Sequence, residues 1–246
     1  MIAARALPGL PEVRRGDDLA ALLAAARGAD GFAPGEVLVL AHKVVSKAEG
    51  RTVDLATVEP SARALELAAE MDKDPRHVEV VLRESAEVVR AEHKVIISRT
   101  RHGFVCANAG VDASNAASPD ELILLPEDPD ASARALRAAL PGHPAVIVAD
   151  SFGRAWRHGQ CDVAVGIAGL APLEDWRGRT DAHGRELRAT WIATADQAAA
   201  AADLARGGKD AGEPAVVLTG LERHVTPEDG PGVQALVRSR AEDLFG

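Results

Sequence analysis

A mixed α+β fold, with helices covering a mixed sheet, is what this sequence predicts, and three observations point to it. Short apolar runs and amphipathic stretches are interspersed without the strict βαβ alternation of a doubly wound sheet. Apolar residues make up 47% of the 246 positions, enough for a packed core and too many for a disordered chain. Much of that fraction is alanine and only 3% is aromatic, so helical layers are expected over the sheet. With no internal repeat and no clean linker, residues 1–246 are expected to form one domain, two intimately joined lobes being the variant of that reading.

Taken in order, Asp17 to Arg27 reads as a helix, with Leu19, Leu22, Leu23 and Ala26 on its apolar face. Gly35 turns the chain into Val37–Leu40, an apolar run suited to a buried strand. Pro60 to Glu70 suggests a helix with proline in its first turn. Asp74-Pro75 starts another, whose apolar stripe runs through Val78, Val81, Leu82 and Val89. Lys94 to Ser98 and Gly103 to Ala107 read as strands, and Leu122 to Leu125 as a strand stopped by Pro126. Asp130 to Leu140 is a helix with Asp128 or Asp130 near its cap. Ala145 to Ala149 and Val163 to Ile167 are buried strands, and Pro172 to Arg188 reads as a long ordered loop. Ala195 to Arg206 is a helix and Ala215 to Leu218 the last strand. From Glu222 onward the polar tail is expected to be a surface helix.

Composition also excludes functions. No stretch approaches the ~20 uncharged apolar residues that span a bilayer. Met1 to Val13 lacks an apolar core and is broken by Pro8 and Pro11, unlike a signal peptide. Cys106 and Cys161 have no CxxC spacing, which fits a reduced, cytoplasmic setting, and both read as core thiols without an evident base. The net charge of −9 with no run of Lys and Arg argues against nucleic acid, whose binding needs clustered cations. There is no GxxxxGK[ST], since Gly207-Gly208-Lys209 lacks the upstream glycine and the hydroxyl. GxGxxG after a strand, HExxH, GxSxG and paired CxxC are also missing.

Four segments could carry chemistry. Asn108-Ala-Gly-Val-Asp112-Ala-Ser-Asn115 follows a strand and offers hard oxygen ligands, although Asx and glycine are also what an ordinary turn needs. In Asp150-Ser151-Phe-Gly-Arg154-Ala-Trp-Arg157, an Asp at a strand end followed by a hydroxyl suits Mg²⁺ or Mn²⁺, and the arginines suit phosphate or carboxylate. The same residues also fit a cap with two solvated arginines. His42-Lys43-Val-Val-Ser46-Lys47 places Lys47 where it could meet a phosphate, or simply solvent. Arg99-Thr-Arg101-His102 is a basic cluster that could hold an anionic substrate or balance Glu84, Glu87 and Glu92. Two strand-end aspartates with arginine-rich flanks make a kit for phosphoryl transfer, with Asp112 and Asp150 in the catalytic centre.

Together, several segments resemble the coenzyme F420-0:γ-glutamyl ligases. The blocks are Lys43-Val-Val-Ser-Lys-Ala-Glu-Gly-Arg51, Arg101-His-Gly-Phe-Val-Cys-Ala-Asn-Ala-Gly-Val-Asp-Ala-Ser-Asn115 and Asp150-Ser-Phe-Gly-Arg-Ala-Trp-Arg157, with Leu10-Pro-Glu-Val13 and Asp162–Gly169 in the same pattern. The resemblance runs from about residue 7 to 221. It implies that GTP phosphorylates the lactyl carboxylate of F420-0 and that the amine of L-glutamate attacks the acyl phosphate. Further glutamates follow through γ-links. It maps guanine-nucleotide contacts onto Leu10, Pro11, Glu12, Val13, His42, Lys47 and Asn115, and divalent-metal ligands onto Asp112, Asp150 and Ser151. At His42 the family more often has Ser, Gln or Thr, so a backbone contact is what carries over there. Further contacts fall within Gly207 to Glu213 without residue assignment. Arg101, Arg154 and Arg157 are assigned to the anionic substrate. The implied fold is a mixed α+β architecture in an intertwined homodimer, the implied cofactors are Mg²⁺ or Mn²⁺ with K⁺ as a further candidate, and the partners are small molecules, with no nucleic acid or membrane. The rival readings are a ligase of the same fold acting on another carboxylate, and a nucleotide-binding module without catalysis.

Overall fold

The computed structural model describes residues 1–208 and 210–244. Its main sheet has five strands in the order β1-β12-β2-β8-β9. They are β1 (Ala3–Ala6), β2 (Val37–Ala41), β8 (Ala145–Arg154), β9 (Arg157–Ala168) and β12 (Ala215–Thr219). Only β2 and β8 run parallel; the other neighbours are antiparallel. That mixture is the α+β architecture the chain predicts. Strands β2 and β12 and the first half of β8, Ala145–Ala149, are apolar runs because they lie inside the sheet and are covered on both faces.

Helices α1 (Leu19–Arg27), α5 (Pro129–Ala139) and α6 (Thr194–Ala205) provide the covering layers, α5 and α6 both packing on β9. Asp18 caps α1 and Asp128 caps α5, each accepting a backbone N–H from three residues on. Asp130 does something else: its carboxylate accepts from Ile167 N and Val233 N, tying α5 to β9 and to the tail. Gly166 is glycine for a steric reason, since a Cβ there would lie 2.3 Å from the carbonyl oxygen of Pro129.

A second hydrophobic cluster forms around α3 (Ala62–Met71) and α4 (Pro75–Glu84), with Leu67, Val78, Val81, Ile96 and Leu122 fully buried. It packs beside the antiparallel sheet β4 (Ser85–Glu92), β5 (Val95–Thr100) and β6 (Val105–Ala107), and beside the pair β3 (Thr52–Asp54) and β7 (Glu121–Ile123).

Several elements depart from the expectation. Val89 belongs to β4, not to the α4 stripe, because Ser85 ends the helix by hydrogen-bonding Val81 O and the chain enters the strand with no turn residue. His42–Glu49 is a helix, α2, that the β-branched pair Val44-Val45 conceals; Gly50 closes it in the left-handed conformation. The loop Pro172 to Arg188 contains β10 (Glu174–Asp175), which pairs with β11 (Trp191–Ile192), and is braced by Arg177 over Trp191. The tail is not a helix among the described residues. Pro227, Gly230, Pro231 and Gly232 break it into short 3-10 turns, and it straps the two clusters together through Asp229–Arg137, Gln234–His102 O and Asp243–Arg99. No helix is long and apolar enough to cross a membrane among the described residues.

Candidate active site

The site begins with a register. Because β2 and β8 are parallel and Ala41 lies beside Ala149, the next residues, His42 and Asp150, emerge side by side. There the strands diverge. β2 ends and its chain turns into α2, while β8 continues for five residues paired with β9. Asp150 is therefore not at a strand end, as the sequence suggests. It sits inside a long strand, opposite Val163, at the point where the neighbouring strand leaves the sheet.

His42 is 1% exposed. Its Nδ1 lies 3.3 Å from Ser46 Oγ and its Nε2 lies 3.4 Å from Asp150 Oδ1, aimed at the carboxylate but without a well-aligned hydrogen bond. Burial holds the imidazole below its ordinary pKa, against the pull of Asp150, so it is neutral at pH 7. Burial also pushes the Asp150 carboxyl above the usual range, and the charge of Asp112 adds to the rise.

Asp112 arrives from the other cluster. The chain leaves β6 through Asn108 and Ala109, both left-handed, and Gly110. It then bridges Asp112 to Ile123 by two backbone hydrogen bonds. Burial alone would raise the Asp112 carboxyl, but hydrogen bonds from Lys43 and from Ser114 N outweigh it and hold the group below its ordinary value. Lys43 Nζ is 2.7 Å from Asp112 Oδ2, and one turn further along α2 Lys47 Nζ is 2.5 Å from Glu12 Oε1. Three carboxylates from three distant segments thus meet the first turns of α2. The structure brings Glu12, His42, Lys47, Asp112, Asp150 and Ser151 into one neighbourhood, which spacing alone could not show.

Ser151 exposes a participant that sequence reasoning leaves unassigned. Across the β8–β9 ladder it faces Asp162, and its hydroxyl donates to Asp162 Oδ1 at 2.6 Å. Asp162 is 1% exposed and also pairs with Arg206, at the end of α6. The signal was there: Asp162 is an acid directly before the apolar run that fills the second half of β9.

Other assigned residues lie elsewhere. Leu10, Pro11 and Val13 belong to the segment before α1, with Val13 buried and a shallow surface cavity of about 520 Å³ lined by Pro11, Glu12, Arg14, Asp17 and Asp18 beside them. Asn115 is exposed and left-handed, three residues past Asp112. Arg154 and Arg157 face each other across the exposed tip of the β8–β9 hairpin, and Arg154 donates to His158 O. Arg101 is exposed and donates to Arg83 O. None of the three arginines forms an ion pair with the aspartates among the described residues. Lys209, within the unassigned Gly207 to Glu213 stretch, lies outside the described residues. Cys106 is beside the site but inert: burial, and then the Asp150 charge, push its thiol up to about 12.

Among the described residues no three His, Cys, Asp or Glu side chains gather closely enough to hold a metal ion alone. Two carboxylates and a hydroxyl are what this chain offers. That donor set fits Mg²⁺ or Mn²⁺, hard cations that keep waters and complete their shell with substrate phosphate oxygens.

Comparison with known proteins identifies the family. The model of the family described as F420-0:Gamma-glutamyl ligase matches residues 9–220. The chain is 45% identical to a coenzyme F420:L-glutamate ligase of Methanothermobacter thermautotrophicus, over 96% of each chain. It is 46% identical to the proteins of that name from Methanopyrus kandleri, over 95% of this chain and 93% of that one, and Natronomonas pharaonis, over 98% and 93%. By both measures the chain belongs to the F420-0:γ-glutamyl ligase family.

Proposed function

We propose that this chain joins L-glutamate to coenzyme F420-0, and then further glutamates through γ-links, using GTP and a divalent metal in the cytoplasm. The observation that carries the reading is the meeting of Asp112 and Asp150 at the start of α2, in a chain of this family.

Amide formation from a carboxylate needs the oxygen made into a leaving group, and phosphorylation by GTP does that, giving an acyl phosphate open to the amine of glutamate. The chain's residues have distinct parts in this. Asp112, Asp150 and the Ser151 hydroxyl would hold the metal, whose chemistry is to neutralise charge on the transferred phosphoryl group. Asp162 accepts the Ser151 proton, which fixes the orientation of the hydroxyl proposed as a ligand. Neutral His42 adds no competing charge beside Asp150. Lys47, now on Glu12, offers a cation to the nucleotide phosphates, and Leu10 to Val13 with Asn115 would form the rest of the nucleotide site. Arg101, Arg154 and Arg157 are proposed for the anionic deazaflavin substrate. A homodimer and a K⁺ ion are part of the same proposal.

The test is incubation with F420-0, L-glutamate, GTP and Mn²⁺, followed by mass spectrometry of the deazaflavin. Products heavier by glutamyl units, dependent on both GTP and metal, are expected. No mass shift from a folded protein that binds GTP would assign the activity to another carboxylate.

A further inference from the structure

Lys43 has no part in the site as assigned, yet it holds one of the site's carboxylates. Its ammonium is 2.7 Å from Asp112 Oδ2, 2.5 Å from Ser114 Oγ and 3.2 Å from Ser114 O. Three donors thus meet three acceptors, and two of the acceptors belong to the residue two places after Asp112. The same turn is closed by Ser114 N and Ser114 Oγ, which both donate to the Asp112 carboxylate. Lys43 is mostly covered and follows His42, whose buried Nε2 is aimed at Asp150 without a well-aligned partner. A single positive charge therefore stands against one of the two carboxylates proposed to hold the metal, on the side of α2 that faces them.

Resting on the metal reading above, we propose that Lys43 is the resident counter-cation of Asp112, and that a divalent ion binds there only by displacing it. The physics is competition for one carboxylate. An ammonium and a divalent cation on the same oxygen atoms repel, so the lysine has to leave, giving up its hydrogen bonds to Asp112 and Ser114. Without an ion, Lys43 keeps two neighbouring carboxylates from facing each other uncompensated. Once displaced, its flexible stem leaves the ammonium at the site's edge, free for a phosphate oxygen. Metal and nucleotide then favour each other's binding, because each removes a cost of the other.

Binding of MnCl₂ to the purified chain, measured from the free-ion signal by electron paramagnetic resonance, separates the possibilities. Lys43→Met is expected to bind Mn²⁺ roughly tenfold more tightly than the wild type without nucleotide. Lys43→Arg, which keeps the charge, is expected to stay near the wild type. Ser114→Ala, which removes one anchor of the ammonium and leaves the carboxylate pair in place, should give a smaller gain, and it serves if Lys43→Met fails to fold. Equal or weaker Mn²⁺ binding by the folded Lys43→Met protein, or by Ser114→Ala in its place, would overturn the inference and leave the metal reading standing. Absence of Mn²⁺ binding to the wild type even with GTP would overturn both.

Discussion

The two halves of the β8–β9 ribbon are one continuous ladder with opposite surroundings. In the inner half, Ala145–Ala149 and Asp162–Ala168 are almost all buried, and helices α5 and α6 lie against them. In the outer half, Gly153 to Gln160 is exposed, with Trp156 83% accessible in a two-residue turn. The candidate chemistry sits at the boundary, where Asp150, Ser151 and Asp162 have a packed sheet behind them and an open arm ahead. A carboxylate there is held rigidly by the inner half yet remains reachable by substrate, a combination neither half provides alone.

The sharpest way to break this comparison is at the boundary. Asp150→Asn keeps the shape and removes the charge. Glutamylation is expected to fall at least about a thousandfold, roughly 4 kcal/mol of barrier, in a steady-state assay of deazaflavin product. The melting temperature should hold or rise, because burial disfavours this carboxylate in the folded state. Activity within tenfold of wild type would remove Asp150 from the metal site.

One rung outward on the ladder, Asp162→Ala removes the main partner of the largely buried Arg206 guanidinium and frees the Ser151 hydroxyl. Loss of a partner from a buried pair costs about 3 kcal/mol, a drop of roughly 6 °C or more for a chain of this size. Calorimetry reads it directly. A drop below 2 °C would mean that the Arg206 pair contributes no more than a surface contact.

How much of this boundary is legible in the sequence depends on the physical signal each residue leaves. The buried strands are plain, since Val37-Leu-Val-Leu40 and Ala145–Ala149 can be little else. Their parallel pairing is not, and it alone puts His42 beside Asp150. Helix α2 is hidden because Val44 and Val45 favour strands, while the cue that was available, Gly50 after Lys47, is a single C-cap. The convergence of Asp112 with Asp150 depends on long-range packing of two clusters, which no local pattern encodes. Asp162 is missed for a related reason: its partners, Ser151 and Arg206, are 11 and 44 residues away.

Behind the boundary, Cys106 offers a smaller effect with a defined sign. Burial lifts its pKa to about 12, above the 9.0 of a free thiol. The stability it contributes is therefore fully present below pH 9 and lost as pH rises through that window toward 12. Cys106→Ala should cost about 1 kcal/mol of packing at pH 7 and flatten the alkaline limb of a stability curve measured by urea unfolding. At pH 8 the thiol should also resist iodoacetamide in the folded protein. Rapid alkylation there would show that the strand behind Asp150 opens readily.

The outer half should give the smallest effects on stability and a different kind of effect on function. Arg154 and Arg157 are exposed, and the carbonyl that Arg154 bonds, His158 O, is already at the hairpin tip, so Arg154→Ala or Arg157→Ala should change stability by no more than about 0.5 kcal/mol. If the arm reaches toward an anionic substrate, each substitution raises the KM for F420-0 several-fold while Mn²⁺ affinity is unchanged, because the proposed metal ligands Asp112, Asp150 and Ser151 lie off the arm. A fall in Mn²⁺ affinity would mean that the tip and the boundary act as one electrostatic unit, and unchanged KM in both variants would take the arginines out of the substrate site. On the proposed homodimer the arm would then be an element of assembly, and Trp156→Ala, read by light scattering, would show it by lowering the mass.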